Sequence, residues 1–288
     1  MNYPKISIVT VNYNKSKYLE RTILSVLNQN YPNLEYIIID GGSTDNSVEI
    51  IKKYADRLTY WVSEPDNGMY DALKKGFAHT TGDILAWINS DDMYHRNAFY
   101  VVAELFTSMD HVDWLVGATS HWDENDRCVY VKESPYLNRV KFLMGDWKYV
   151  QQESTFWRRS LYEKVGGIDT DYKLAGDFGL WMKFSRYAKM YVVNAPLGGF
   201  RISKDGQLSD NFEKYTQEVE AIIRNEQIDK ESATIIADIR KKQNRLNWIQ
   251  RLTRNWLNME RLQRRFFKDQ QKELYLHQIR FDRKLYHY

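Results

Sequence analysis

The chain has little of what staples, anchors or punctuates a protein. Among its 288 residues there is one cysteine, Cys128, which excludes an internal disulfide or a zinc cluster and fits a reducing compartment. No stretch approaches the ~18 consecutive apolar residues of a membrane span. The start, with Pro4 and Lys5 ahead of Ile6-Ser7-Ile8-Val9, lacks the apolar core and small-residue cleavage site of a secretory signal. A cytoplasmic protein is the expectation. There is no G-x-G-x-x-G and no P-loop, so common dinucleotide and ATP sites are unsupported. The six histidines, His79, His95, His111, His121, His277 and His287, fall at no metal-ligand spacing. No serine or cysteine nucleophile motif occurs, which disfavours a covalent intermediate.

Glycine and proline both disappear after Gly206, leaving 82 residues without a helix breaker. There Ile235, Ile239, Leu246, Ile249, Leu252, Trp256, Met259, Leu262 and Phe266 recur at helical spacing, predicting long amphipathic helices. The net charge of +3 hides an asymmetry: residues 240–288 carry 14 Lys/Arg against 4 Asp/Glu, and residues 1–239 carry 27 against 34. A basic tail on an acidic body suits an anionic partner or, equally, a solvated helix face. Arg251, Arg254, Trp256 and Arg264-Arg265-Phe266-Phe267 suit a peripheral contact with anionic lipid at the inner face of a membrane, or self-association. Nucleic acid is disfavoured by the acidic body.

The first hundred residues alternate short apolar runs with helical patterns. Strands are predicted at Lys5 to Asn12, Leu34 to Asp40, Leu58 to Ser63 and Ile84 to Asn89, with helices at Tyr18 to Gln29, Ser47 to Tyr54 and Tyr70 to Ala78. Such alternation implies right-handed crossovers and a largely parallel, Rossmann-like α/β sheet. Farther on, strands are predicted at Trp114 to Ser120, Cys128 to Lys132 and Val192 to Phe200, the last broken by Pro196 and Gly198-Gly199, and helices at Ser160 to Val165 and Phe178 to Tyr187.

The strongest chemical signal is Asn89-Ser90-Asp91-Asp92, two adjacent carboxylates where the apolar run Ile84 to Ile88 ends. Neighbouring negative charges are costly unless a cation or a set of donors compensates. Oxygen ligands favour Mg²⁺ or Mn²⁺, which takes most of its remaining ligands from water and phosphate. The competing reading is a turn with a helix cap. Asn12-Tyr13-Asn14 and Asp40-Gly41-Gly42-Ser43 lie at other strand ends, and all three segments open on the crevice where such sheets bind ligands.

In order and spacing, VTVNYN, IIIDGGSTDNS, SEPDNGMYDALKKG, TTGDILAWINSDD, QQESTFWRRSLYEKVGG, LAGDFGLWMKF, GGFR and QLS resemble the inverting family 2 glycosyltransferases of bacterial polysaccharide type. That resemblance implies the nucleotide-sugar-binding fold called GT-A over residues 1–209, split into a nucleotide-sugar half (1–100) and an acceptor half (101–209). A helical basic extension (210–288) follows. It implies a UDP-sugar donor, a hexose or N-acetylhexosamine, with a divalent Mn²⁺ or Mg²⁺ ion and a saccharide or lipid-linked acceptor. Thr10, Asn12 and Tyr13 would line the nucleotide pocket and Asp40 would hold uracil or ribose. Asp66, Tyr70, Asp71, Asn89 and Ser90 would approach the nucleotide or sugar, and Arg201 and Gln207 would close over the diphosphate. Asp91 takes the metal-binding place, with Asp92 either supporting the metal or capping a helix. Asp177 takes the place of the catalytic base, where the alternative is again a helix cap. Trp157 and Trp181 suit either the core or a sugar-stacking face, and Arg158 and Arg159 suit solvent.

Two departures matter. Asn89 replaces an aspartate and Gly176 a glutamate common in relatives, the latter compensated by Glu153 if at all. These changes favour the main alternative, a catalytically degenerate nucleotide-sugar-binding or scaffolding protein acting through its tail. Retention of Asp40, Asp91 and Asp177 opposes it. Nucleotidyl transfer is a lesser alternative, because no basic Gly-rich loop accompanies the acidic site.

Overall fold

Ile6–Asn12 (β1) is buried along its whole length, as a strand covered on both faces must be. The computed structural model describes residues 3–146, 150–203, 211–252 and 278–279. After β1 come α1 (Ser16–Leu27), β2 (Leu34–Asp40), α2 (Ser47–Lys53), β3 (Tyr60–Ser63), α3 (Met69–Ala78) and β4 (Ile84–Asn89). Next are β5 (Met93–Tyr94), α4 (Ala98–Ser108), β6 (Trp114–Trp122), β7 (Cys128–Lys132), α5 (Arg139–Leu143), β8 (Thr155–Arg158) and α6 (Arg159–Lys164). The described chain ends with α7 (Gly176–Phe184), β9 (Met190–Pro196), β10 (Gly198–Arg201), α8 (Phe212–Asn225), α9 (Lys230–Leu252) and β11 (Gln278–Ile279).

The sheet runs β11-β9-β6-β8-β4-β1-β2-β3. β1 pairs in parallel with β2 on one side and β4 on the other, and β2 pairs in parallel with β3. β8 is the antiparallel insertion between β4 and β6. Alternate residues of each central strand feed opposite layers. Val9, Ile37, Ile39, Leu85 and Trp87 pack with α3 and α7, whereas Ile8, Ile38, Ala86 and Ile88 pack with α1 and α4, as the period of two requires. The α1 helix is amphipathic and buries Leu19, Ile23, Val26 and Leu27.

The predicted strands and helices of residues 5–132 are present, with ends shifted by at most a few residues. Five strands and helices carry no matching expectation, β5, α4, α5, β8 and β11. The break expected at Pro196 and Gly198-Gly199 within Val192 to Phe200 is present: β9 and β10 are separate strands, divided at Leu197. Proline at 196 supplies no N–H to the ladder there. Residues 211–225 do form a helix, and its Val219 and Ile222 are buried in the same core as α7. Among the described residues no helix is long and apolar enough to cross a membrane. Arg254, Trp256, Arg264, Arg265, Phe266 and Phe267 lie outside the described residues.

Candidate active site

Because β2 and β4 flank β1, their chain connections depart to opposite sides of β1, and the strand ends bound a crevice there. Register aligns Asn12 with Asp40, Val11 with Asn89, and Asp40 with Ser63. Asp40 is fully buried. Its Oδ1 accepts hydrogen bonds from Asn12 Nδ2 (2.6 Å) and Ser43 Oγ (2.6 Å), and its Oδ2 from Ser43 N (2.9 Å) and Ser63 Oγ (2.6 Å). Burial opposes its charge, but the Ser43, Ser63 and Asn12 donors outweigh burial and hold the carboxyl below the ordinary aspartate range. With four donors on two oxygens, Asp40 ties the ends of β1, β2 and β3 together. A ligand arriving there meets the serines before it meets the carboxylate.

Thr10 also faces inward, its hydroxyl 3.0 Å from that of buried Tyr36. Tyr13 stands out from the end of β1, 63% exposed. Asp66 accepts from Gly68 N (2.8 Å). Its Oδ2 lies 2.6 Å from where a Cβ on Gly41 would sit, so the glycine makes room for this carboxylate. Asp71 accepts from Asn67 N (3.0 Å) and stands 3.7 Å from Lys75 Nζ.

The turn after β4 is held from beneath. Thr22 of α1 donates to the carbonyls of Ser90 (2.9 Å) and Asp92 (2.7 Å). Asp92 is buried and accepts from Arg201 N (2.8 Å). Arg201, expected over a diphosphate, is instead fully buried. Its Nε donates to Asp91 O (2.6 Å), one terminal nitrogen donates to Asp123 O (2.7 Å) and meets Asp126 Oδ1 (2.8 Å), and the guanidinium lies over the Tyr18 ring. A buried guanidinium requires such acceptors, and in meeting them Arg201 braces the Asp91-Asp92 turn. Gln207 lies outside the described residues.

Asp91 alone of this pair turns toward the crevice, its side chain 15% exposed and 3.3 Å from Lys15 Nζ. Among the described residues no three His, Cys, Asp or Glu side chains form a metal site by themselves. The donor set still fits a hard cation that draws its other ligands from phosphate and water: the Asp91 carboxylate is part-exposed, and two residues earlier the buried Asn89 Oδ1 has no hydrogen-bond partner among the described residues. Asp92 points away from such an ion. Burial, then the charges of Glu153 and Asp91, raise Asp92 well above the aspartate range, and it is hydrogen-bonded to Glu153. Burial pushes Glu153 up to about 7, with the charges of Asp177 and Asp91 adding to the effect.

Asp177 opens α7, with an N–H of the first turn, that of Phe178, donating to its Oδ1 at 2.7 Å. Trp181, one turn on, stacks 5.6 Å from Trp87 of β4 at an interplanar angle of 11°, which binds the first turns of α7 to the strand that leads into the Asp91 turn. Trp181 and Trp157 are both fully buried, so they belong to the aromatic core and are not available to stack on a sugar. Arg158 and Arg159 are likewise not solvent-facing spectators. Arg158 donates to the carbonyls of Val112 (2.9 Å) and Phe106 (2.7 Å), and Arg159 to that of Gly82 (2.8 Å). Despite its partial exposure, the Asp177 carboxyl is enclosed deeply enough that burial pushes it up to about 6. The helix start therefore offsets only part of the desolvation.

Gly176 has a steric reason. A Cβ there would sit 2.8 Å from the ring of Tyr70, whose hydroxyl donates to Leu174 O (2.7 Å) and accepts from Asp177 N (3.4 Å). Gly176→Ala is expected to destabilise the fold by about 1–3 kcal/mol through overpacking, measured by urea denaturation. An unchanged midpoint would show that Tyr70 moves aside freely.

Three residues here carry no expectation from the sequence: Lys15 on Asp91, and Tyr215 and Glu218 of α8, which reach Asp177 and the loop before it. Lys15 lies just past the end of β1, which was a usable signal. Tyr215 and Glu218 gave none, because nothing local relates them to position 177.

The family model described as Glycosyl transferase family 2 matches residues 7–166. An uncharacterized glycosyltransferase of Mycobacterium tuberculosis strain H37Rv is 35% identical over 180 residues, covering 60% of this chain and 66% of that protein. One from Nostoc sp. is 32% identical over 178 residues, 57% of this chain and 54% of that protein. The chain thus spans just under two thirds of the first relative and about half of the second. Among solved structures, Staphylococcus aureus TarS residues 1–349 in complex with UDP-GlcNAc superposes with a TM-score of 0.64 at 18% identity, over 81% of this chain and 71% of that one. The mannosyltransferase PcManGT from Pyrobaculum calidifontis, in complex with GDP-Man and Mn²⁺, superposes with a TM-score of 0.61 at 17% identity, over 82% and 68% of the two chains. These likenesses show the fold, GT-A. With the family model covering more than half of its length, the chain belongs to glycosyl transferase family 2.

Proposed function

We propose that the protein transfers a sugar from a UDP-linked hexose or N-acetylhexosamine to a hydroxyl of a saccharide or lipid-linked acceptor, with inversion at the anomeric carbon. The observation that supports this reading is the Trp87–Trp181 stack, which ties the strand leading into Asp91 to the helix that begins beside Asp177. Glu153 feels the charge of both carboxylates, which agrees with that placement.

In this reading Asp177 takes the proton of the acceptor hydroxyl as that oxygen bonds to the anomeric carbon. The bond from that carbon to the diphosphate oxygen breaks, and UDP leaves with its electron pair. An α-linked donor yields a β-linked product. Asp91, with the Asn89 amide oxygen, would hold a divalent ion, which when bound supplies positive charge to the departing diphosphate. Lys15, on the same carboxylate, offers a second positive charge from the chain itself. Arg201 keeps the turn in shape from behind, and the exposed ring of Tyr13 gives the base a stacking surface. UDP-GlcNAc bound to TarS, and GDP-Man with Mn²⁺ bound to PcManGT, support a nucleotide-sugar donor and a metal in this fold.

The test is nucleoside diphosphate release from a panel of UDP-sugars and GDP-mannose, with Mn²⁺, with Mg²⁺ and with EDTA. Turnover of one UDP-sugar supports the reading and names the donor. Turnover of GDP-mannose alone would correct the nucleotide. Pyrophosphate release would move the reaction to nucleotidyl transfer, and failure to bind any nucleotide by calorimetry would favour the scaffold.

A further inference from the structure

We propose that Tyr215, on the C-terminal helix α8, is the positioning residue of Asp177: its phenolic O–H fixes the orientation of that carboxylate and sustains its charge. The proposal rests on Asp177 being the base. Tyr215 Oη lies 3.3 Å from Asp177 Oδ1 and 3.4 Å from Oδ2, so one O–H is shared by both oxygens. The other donors, the backbone N–H groups of Phe178 and of Asp177 itself, belong to the helix that carries Asp177 and turn with it. Among the described residues Tyr215 is therefore the only side chain on another element that donates to this carboxylate.

The contact is built into the packing of α8. One turn beyond Tyr215, Glu218 accepts from the amides of Lys173 (3.1 Å), Leu174 (2.9 Å) and Ala175 (2.8 Å), the three residues that lead into α7. On the next turn Val219 and Ile222 are buried. The start of α7 and the face of α8 thus form one unit, held by hydrogen bonds at the loop and apolar contact below. The titratable groups around Asp177 are Tyr70 of α3, Glu153 of the turn before β8, and Tyr215 and Glu218 of α8. Glu218 opposes the Asp177 charge and Glu153 is raised by it. Tyr215 donates a hydrogen bond and keeps its proton, its own ionisation pushed far upward by burial and by Asp177. It is the counterweight that lets a carboxylate in this surrounding remain a usable base.

The experiment follows the Asp177 carboxyl carbon by NMR in full-length protein labelled with ¹³C-aspartate, its resonance assigned by its loss in Asp177→Asn. In Tyr215→Phe, which removes one oxygen and keeps the ring, the titration midpoint is expected to rise by about one unit, with the rest of the spectrum retained. A midpoint equal to that of wild type would overturn the proposal, because a merely structural Tyr215 leaves the carboxyl's ionisation alone. The activity of Asp177→Asn tests the underlying reading separately. Wild-type turnover in that variant would remove Asp177 as the base even if the midpoint moves. A silent Asp177→Asn with an unmoved midpoint in Tyr215→Phe defeats only the role given to Tyr215.

Discussion

Asp177→Asn is expected to lower kcat by about 10²–10⁴-fold while leaving UDP affinity within a few-fold of wild type. Asparagine keeps the shape of the side chain and loses the ability to take a proton. In the proposed reading the nucleotide is held at the ends of β1, β2 and β4 and Asp177 meets only the acceptor hydroxyl, so nucleotide binding does not depend on the residue at 177. Rates of UDP release with calorimetric UDP affinities check both halves. A variant within threefold of wild type in rate would assign the base elsewhere, with Glu153 next in line.

The same group predicts a pH dependence. Burial pushes Asp177 up to about 6, and the base form is the ionised one. Turnover is expected to rise with pH through about 6 and level off above it, and a profile that is flat from pH 5 to 8 would contradict this. Stability runs in the opposite sense. Since the folded protein holds the neutral acid more tightly than the unfolded chain does, this group favours folding below the unfolded value of about 3.9. The contribution is lost as pH rises through about 6. Asp177→Asn, permanently neutral, should therefore melt above wild type at pH 7.5. A catalytic carboxyl held at a cost to the fold shows this signature, and a helix cap does not.

Asp91→Asn is expected to reduce UDP release by about 10²–10³-fold and to abolish its dependence on Mn²⁺ or Mg²⁺. Asp91 is the carboxylate of the turn that faces the crevice, while Asp92 is buried against Arg201 N and Glu153 and cannot stand in for it. Binding should separate the two sources of positive charge. In EDTA, Asp91→Asn releases Lys15 from its partner and UDP affinity is expected to hold or rise. With Mn²⁺, the gain in UDP affinity seen in wild type should vanish. If the variant keeps that gain, the ion is held by other residues and the place given to Asp91 is wrong.

Much of the fold was legible because its signals are local. The apolar run Ile84 to Ile88 and the 3.6-residue spacing in α1 each reside within a dozen residues, and the elements they predict are present. β8 was missed because Thr155–Arg158 pairs antiparallel between β4 and β6, and nothing inside four residues records those neighbours. The site divided in the same way. Asp91 stood out as a carboxylate at a strand's end and Asp177 only through the family resemblance, and in the structure Glu153 feels the charge of both. Arg201 read as a phosphate ligand because the resemblance puts it in a closing loop and a guanidinium's fork of donors matches phosphate. Its actual partners, the carbonyls of Asp91 and Asp123, come from 110 and 78 residues earlier in the chain.

The sequence by itself determined the alternation of strands and helices, the order of the motifs, the family they resemble and the chemical types available at the strand ends. These follow from residue identity and short-range periodicity. Tertiary structure alone decided which carboxylates stay part-exposed and which are consumed as struts. Asp40 is locked by serines, Asp92 is turned inward, Arg201 is buried, Asp66 fills the space over Gly41, and Tyr215 reaches Asp177 from a helix beyond the matched family region. The physical reason is that a buried polar group takes whatever partner packing brings within hydrogen-bond distance, and packing couples residues whose separation along the chain carries no trace of their meeting.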